Sequence, residues 1–184
     1  MTSLDSDLPA CDPTRTWPGL VDGAAIHRLA ADAIALLIAD GQTVAVAESL
    51  TGGMLAAALT GIAGASAAFR GGVVAYATDL KAALLGVPAD LLDRRGAVDP
   101  DVAVAMAQGA RHRLAATVGV STTGVAGPDP ADGQAVGTVH IAVCGRGQTV
   151  RRALALSGSR HEIRMATVER ALGLLIGTLR EEIR

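Results

Sequence analysis

Thr43-Val44-Ala45-Val46-Ala47-Glu48-Ser49-Leu50-Thr51-Gly52-Gly53 is an apolar run closed by an acid, a serine and two glycines. The valines and alanines read as a buried strand over 43–47, and the glycines as the turn that carries the chain into a helix over about 50–59. A serine at such a junction has its hydroxyl at a helix N-terminus, where free backbone N–H groups hold developing negative charge. Its plain alternative is a helix N-cap, a role for which serine is among the best residues.

Outward from this stretch, strands and helices alternate. Apolar residues at helical spacing predict a helix over 24–39, ended by Asp40-Gly41. Gly72 to Ala77 reads as a second strand, with short helical pieces over 79–85 and 88–94. Asp99-Pro100 is a strong helix start, N-cap followed by proline, and that helix is expected to reach about Ala116. Strands are expected over 118–123, 137–144 and 149–156, the last two joined by a hairpin at Gly145-Arg146-Gly147. A final helix capped by Ser159 runs to about Glu182, with Met165, Val168, Leu172, Leu175 and Leu179 at three- and four-residue steps. The alternation followed by a late hairpin predicts an α/β fold, a three-layer α/β/α sandwich on a mixed sheet of about five strands.

The 184 residues suit one domain, residues 23–184, behind a leader of 1–22 that lacks periodicity. Aromatic residues are 2% of a chain that is 50% hydrophobic, so the core is built from Ala, Val, Leu and Ile. The 16 basic and 18 acidic residues leave a net charge of −2, with no field to draw nucleic acid and no aromatic surface to stack bases. Cys11 and Cys144 sit in unlike contexts and argue against a structural disulfide. The acidic start is unlike a secretory signal, and a cytoplasmic location is expected. The uncharged stretch from Ser49 to Phe69 is rich in Gly, Ala and hydroxyl residues, too polar for a membrane span. Four scattered histidines, with no paired spacing, predict neither a metal nor a cofactor.

A serine attacks an amide only with a proton acceptor, and a lysine desolvated to a depressed pKa supplies one. Lys81 stands one turn into the 79–85 helix, five residues after Tyr76, the one tyrosine, at the end of the 72–77 strand. Ser49 and Tyr76 both lie at carboxyl ends of strands, where open α/β sheets bind ligands. The N–H groups of Thr51, Gly52 and Gly53 are the expected oxyanion donors. Arg160 and Arg164, at i and i+4 early in the last helix, either meet a phosphate or form a solvated face. Gly124 and Gly127 either admit a ligand close to the backbone or only turn the chain. A Tyr-x-x-x-Lys dehydrogenase pair is excluded by the spacing, and a triphosphatase P-loop by its absence.

Four motifs in order resemble the CinA C-terminal domain family: Ala47 to Gly53; Tyr76 to Lys81 with Leu84-Leu85-Gly86-Val87; Gly124-Val125-Ala126-Gly127-Pro128 with Val136-Gly137-Thr138-Val139; and Gly158-Ser159-Arg160 with Ile163-Arg164. Thr78, the stretch 128–132 and Ala135 depart from the family's usual residues. The resemblance implies a nicotinamide-nucleotide amidase that converts nicotinamide mononucleotide to nicotinic acid mononucleotide and ammonia. It further implies Ser49 as nucleophile, Lys81 as base, Tyr76 as a hydroxyl that relays the proton or orients the pair, and a homodimer or higher homo-oligomer. Two alternatives stay open: a non-catalytic nucleotide-binding or interaction module, and an amidase for another small carboxamide.

Overall fold

The computed structural model describes residues 23–182. In chain order the elements are α1 (Gly23–Ala39), β1 (Val44–Glu48), α2 (Met54–Thr60), a short 3-10 turn (Ala65–Ala67), β2 (Phe69–Val74), α3 (Thr78–Leu85), α4 (Ala89–Arg95), α5 (Pro100–Arg113), β3 (Val118–Gly124), β4 (Thr138–Cys144), β5 (Thr149–Ala155) and α6 (Arg160–Glu182). The strands form one sheet in the order β2-β1-β3-β4-β5. The first three run parallel, while β4 and β5 are antiparallel to their neighbours. The sheet is mixed and the fold is an α/β sandwich, as the alternation of elements requires.

The two faces of the sheet are built from different side chains, and that difference places the helices. Val44 and Val46 of β1, Val118 and Val120 of β3, and Val139, Ile141 and Val143 of β4 pack with α1, α2 and α6. The opposite face carries Ala45 and Ala47, where α3, α4 and α5 pack, and Ala142 under α5. Gly119 belongs to this small-residue face, and a Cβ there would lie 2.0 Å from the Ala107 carbonyl of α5. Helix α5 therefore rests almost on the backbone of the sheet, an approach only glycine permits. Its start is fixed by Asp99, whose carboxylate accepts the Asp101 N–H at 2.7 Å, with Pro100 in the first turn.

Two expectations need correction. The second strand lies at 69–74 rather than 72–77, so Tyr76 follows the strand instead of ending it. Gly71 and Gly72 have little strand propensity, but their backbone pairs with Ala45 and Val46 of β1, and the ladder requires no more. The second helix begins at Met54 rather than 50, because Gly52 (φ +58°) and Gly53 (φ +97°) adopt left-handed conformations that a helix does not admit. No helix among the described residues is long and apolar enough to cross a membrane. The leader 1–22 and Cys11 lie outside the described residues; Cys144 is a buried free thiol.

Candidate active site

The carboxyl ends of the three parallel strands open onto one cavity of about 290 Å³, lined by Ser49 after β1, Tyr76 after β2 and Gly124 at the end of β3. Its size falls near the lower limit for small-molecule pockets, roughly 300 Å³. The Ser49 N–H continues the β1–β3 ladder by donating to the Thr122 carbonyl at 3.0 Å, so the nucleophile position is held by the sheet itself.

Lys81 reaches in from the first turn of α3. Its Nζ lies 3.0 Å from Ser49 Oγ and 2.8 Å from the Ala75 carbonyl oxygen. The side chain is 1% exposed. Burial pushes its pKa down from the usual 10.5 to about 8, with the Asp132 charge opposing the fall. A neutral amine here donates one N–H to Ala75 and turns its lone pair to the serine hydroxyl, the arrangement a general base needs. Lys81 is also the only lysine in the chain, every other basic side chain being arginine or histidine. That singularity was a sequence signal for a residue whose proton has to be movable, since arginine is never deprotonated.

Tyr76 lies on the cavity wall but stands apart from this pair. Its hydroxyl accepts a hydrogen bond from the Arg160 guanidinium at 2.7 Å, and Arg160 also donates to the Gly127 carbonyl at 2.6 Å. Arg160 thus ties α6 to the β3–β4 loop and to Tyr76 at the cavity mouth. Arg164 does something else: Nε and a terminal nitrogen donate to the Leu50 and Thr51 carbonyls, both at 2.8 Å. Its fork clamps the turn after Ser49 and is not a free phosphate ligand, which corrects that expectation.

The expected oxyanion donors also need correction. Glu48, 1% exposed, accepts the N–H groups of Gly53 and Leu55 at 3.0 Å each and of Ala56 at 2.8 Å. The anion-binding site at the N-terminus of α2 is therefore filled by the protein's own carboxylate. Gly52 N–H is likewise committed, to the Ser49 carbonyl at 3.1 Å. Thr51 Oγ1 pairs with Thr122 Oγ1 at 2.7 Å. Since a planar peptide points its C=O and N–H opposite ways, Arg164 on the Leu50 carbonyl turns the Thr51 N–H to the other side. Glu48 carries a role that its sequence neighbourhood only hints at, through an acid one residue before a serine and just ahead of a helix start.

An α/β sandwich on an open mixed sheet, with a serine and a dehydrated lysine paired at the carboxyl ends of its parallel strands, is the class of protein this is. The chain belongs to the CinA C-terminal domain family, whose model matches residues 26–179. It is 51% identical to a CinA-like protein of Frankia casuarinae over 155 residues, 84% of this chain and 36% of the relative. It is 46% identical to a putative competence-damage inducible protein of Desulforudis audaxviator, over 76% of this chain and 34% of that one. The chain thus spans about a third of the length of these curated relatives. Among solved structures, the competence/damage inducible protein CihA of Agrobacterium tumefaciens superposes with a TM-score of 0.81 at 40% identity, covering 90% of this chain and 99% of that one. A CinA superfamily protein of Escherichia coli gives 0.82 at 32% identity, over 87% and 94%.

Proposed function

We propose that the chain is an amidase acting on nicotinamide mononucleotide through a Ser49 acyl-enzyme. The observation that carries this reading is the 3.0 Å contact between Ser49 Oγ and a buried lysine amine brought to a pKa of about 8. A binding module gains nothing from dehydrating a lysine beside a serine, whereas a general base is made by it. In the first half-reaction Ser49 Oγ bonds to the carboxamide carbon and its proton passes to Lys81 Nζ. The C–N bond then breaks, and ammonia leaves with the proton from Lys81. Water attacks the ester, Lys81 again takes the proton, and the carboxylic acid and free serine are restored.

At the mouth, Arg160 has further N–H donors beyond the two it uses and is the candidate partner for the nucleotide phosphate. Asp129 and Asp132 on the same wall suit a cationic ring or ribose hydroxyls, and their place in the divergent 128–132 stretch favours keeping one second reading, another small carboxamide. The same reading takes the working form as a cytoplasmic homodimer. The test is ammonia release from nicotinamide mononucleotide beside free nicotinamide, for wild type and Ser49→Ala. Turnover of the nucleotide alone, lost in the variant, is expected; well-folded wild type without turnover sinks the reading. Activity is expected to rise with pH through about 8, as Lys81 loses its proton.

Tyr76→Phe separates two roles for the tyrosine. With its hydroxyl engaged by Arg160, its loss is expected to lower activity only about 10- to 100-fold, the worth of one hydrogen bond to a charged group. A loss as deep as that of Ser49→Ala would mean that the hydroxyl carries the proton.

A further inference from the structure

The β3–β4 loop fixes one carboxylate over the cavity with more constraint than a surface loop requires. Asp132 sits at φ +52°, in the left-handed region that aspartate tolerates better than most residues. A tight turn holds it there, with Ala131 N–H and Gln134 carbonyl 3.2 Å apart and Gln134 N–H and Ala131 carbonyl 2.9 Å apart. Its Oδ2 accepts the Ala97 N–H at 2.8 Å, and Gly96 makes room for the contact, since a Cβ there would lie 3.2 Å from that of Asp132. Thus pinned, Asp132 lines the same cavity as Ser49 and Lys81.

Lys81 needs such a group. During turnover it alternates between neutral amine and ammonium, and the ammonium form, 1% exposed, has only the Ser49 hydroxyl and the Ala75 carbonyl as hydrogen-bond partners. The other charged or titratable groups near the cavity are engaged elsewhere or carry the wrong sign. Glu48 is spent on the start of α2, Asp99 on the Asp101 N–H, and Arg160 is a second cation bound to Tyr76. Asp129 lies on the cavity wall with no hydrogen bond to fix it among the described residues.

We propose that Asp132 is a positioning residue for the base: its carboxylate, pinned by the Ala97 N–H, supplies the counter-charge for the Lys81 ammonium while it holds the proton taken from Ser49. Its part in turnover rests on the amidase reading, but the electrostatic link to Lys81 does not. The Asp132 charge is the influence that opposes the fall of the Lys81 pKa, so removing it drops that pKa further below about 8.

A single lysine makes the measurement direct. Protein labelled with carbon-13 and nitrogen-15 lysine gives one side-chain signal by NMR, and its pH titration reads Lys81 without substrate. Wild type is expected to titrate near 8 and Asp132→Asn about 0.5 to 1 pH unit lower, from one charge at cavity distance. Asparagine tolerates the positive φ and still accepts the Ala97 N–H; Asp132→Gly, suited to the same φ, is the second variant should the first fold poorly. Asp129→Asn is expected to leave the midpoint in place. An unchanged midpoint in folded Asp132 variants, or an equal shift in Asp129→Asn, overturns the assignment. The acid limb of kcat/KM for nicotinamide mononucleotide should move with the NMR midpoint. A midpoint that moves in Asp132→Asn while wild type turns nothing over would sink the amidase reading and leave the Asp132 link; turnover by wild type with an unmoved midpoint in the variant would do the reverse.

Discussion

Lys81→Met is expected to lose activity by about four orders of magnitude or more and yet to unfold at higher denaturant than wild type at pH 7. The loss follows from the geometry: without the amine 3.0 Å from its oxygen, Ser49 keeps its proton. The gain follows from linkage. The folded-state pKa of Lys81 is about 8 against 10.5 for the free side chain. Between those values the unfolded chain binds the extra proton, so stability rises with pH there, and below about 8 the full penalty for burying the ammonium is present. That penalty is about 3 kcal/mol, a depression of about 2.5 units at 1.36 kcal/mol each. Methionine removes it but leaves the Ala75 carbonyl without its donor, which costs about 1 kcal/mol. A net gain of about 2 kcal/mol is expected in urea melts at pH 7, mostly gone at pH 10. A variant less stable than wild type at pH 7 would mean that Lys81 is not held against its own charge.

Glu48→Gln is expected to cost about 3 kcal/mol of stability although it changes few atoms. The carboxylate receives three N–H groups from Gly53, Leu55 and Ala56 while 1% exposed. A carboxamide keeps one acceptor oxygen and turns an NH2 against the remaining donors, leaving buried N–H groups unpaired. Activity should fall as well, because the chain that Glu48 anchors is the turn carrying Ser49. Urea denaturation gives the first quantity and ammonia release at a temperature where both proteins are folded gives the second. A Gln variant as stable as wild type would show that the start of α2 draws nothing from the charge.

The strand at 44–48, the turn after Ser49 and the lysine on α3 were legible because each depends on residues near it in sequence. Buried valine alternating with alanine marks the strand, and a serine at a strand end before glycines marks the turn. The errors come where the deciding contact is distant. Arg160 and Arg164 stand four apart on one helix and look equivalent, yet one bonds Tyr76, 84 residues away, and the other bonds Leu50, 114 residues away. Helix α2 starts later than expected because propensity does not reveal that Gly52 and Gly53 turn left-handed, which brings the N–H groups of Gly53, Leu55 and Ala56 to Glu48. Strand β2 begins at Phe69, ahead of the expected Gly72, because Gly71 carries no strand signal and is recruited by pairing with Ala45 of β1. Asp132 had no local signal either; its importance lies in meeting Ala97, 35 residues earlier.

With its sole lysine in the core, the folded domain shows amine-directed reagents no lysine on its surface. Acylation of Lys81 then requires the cavity to open far enough to admit the reagent. The speed of that modification becomes a clock for breathing at the carboxyl edge of the sheet, separate from the unfolding of the whole. For the same reason, cellular acylating metabolites that decorate exposed lysines would mark this domain only while its working end stands open.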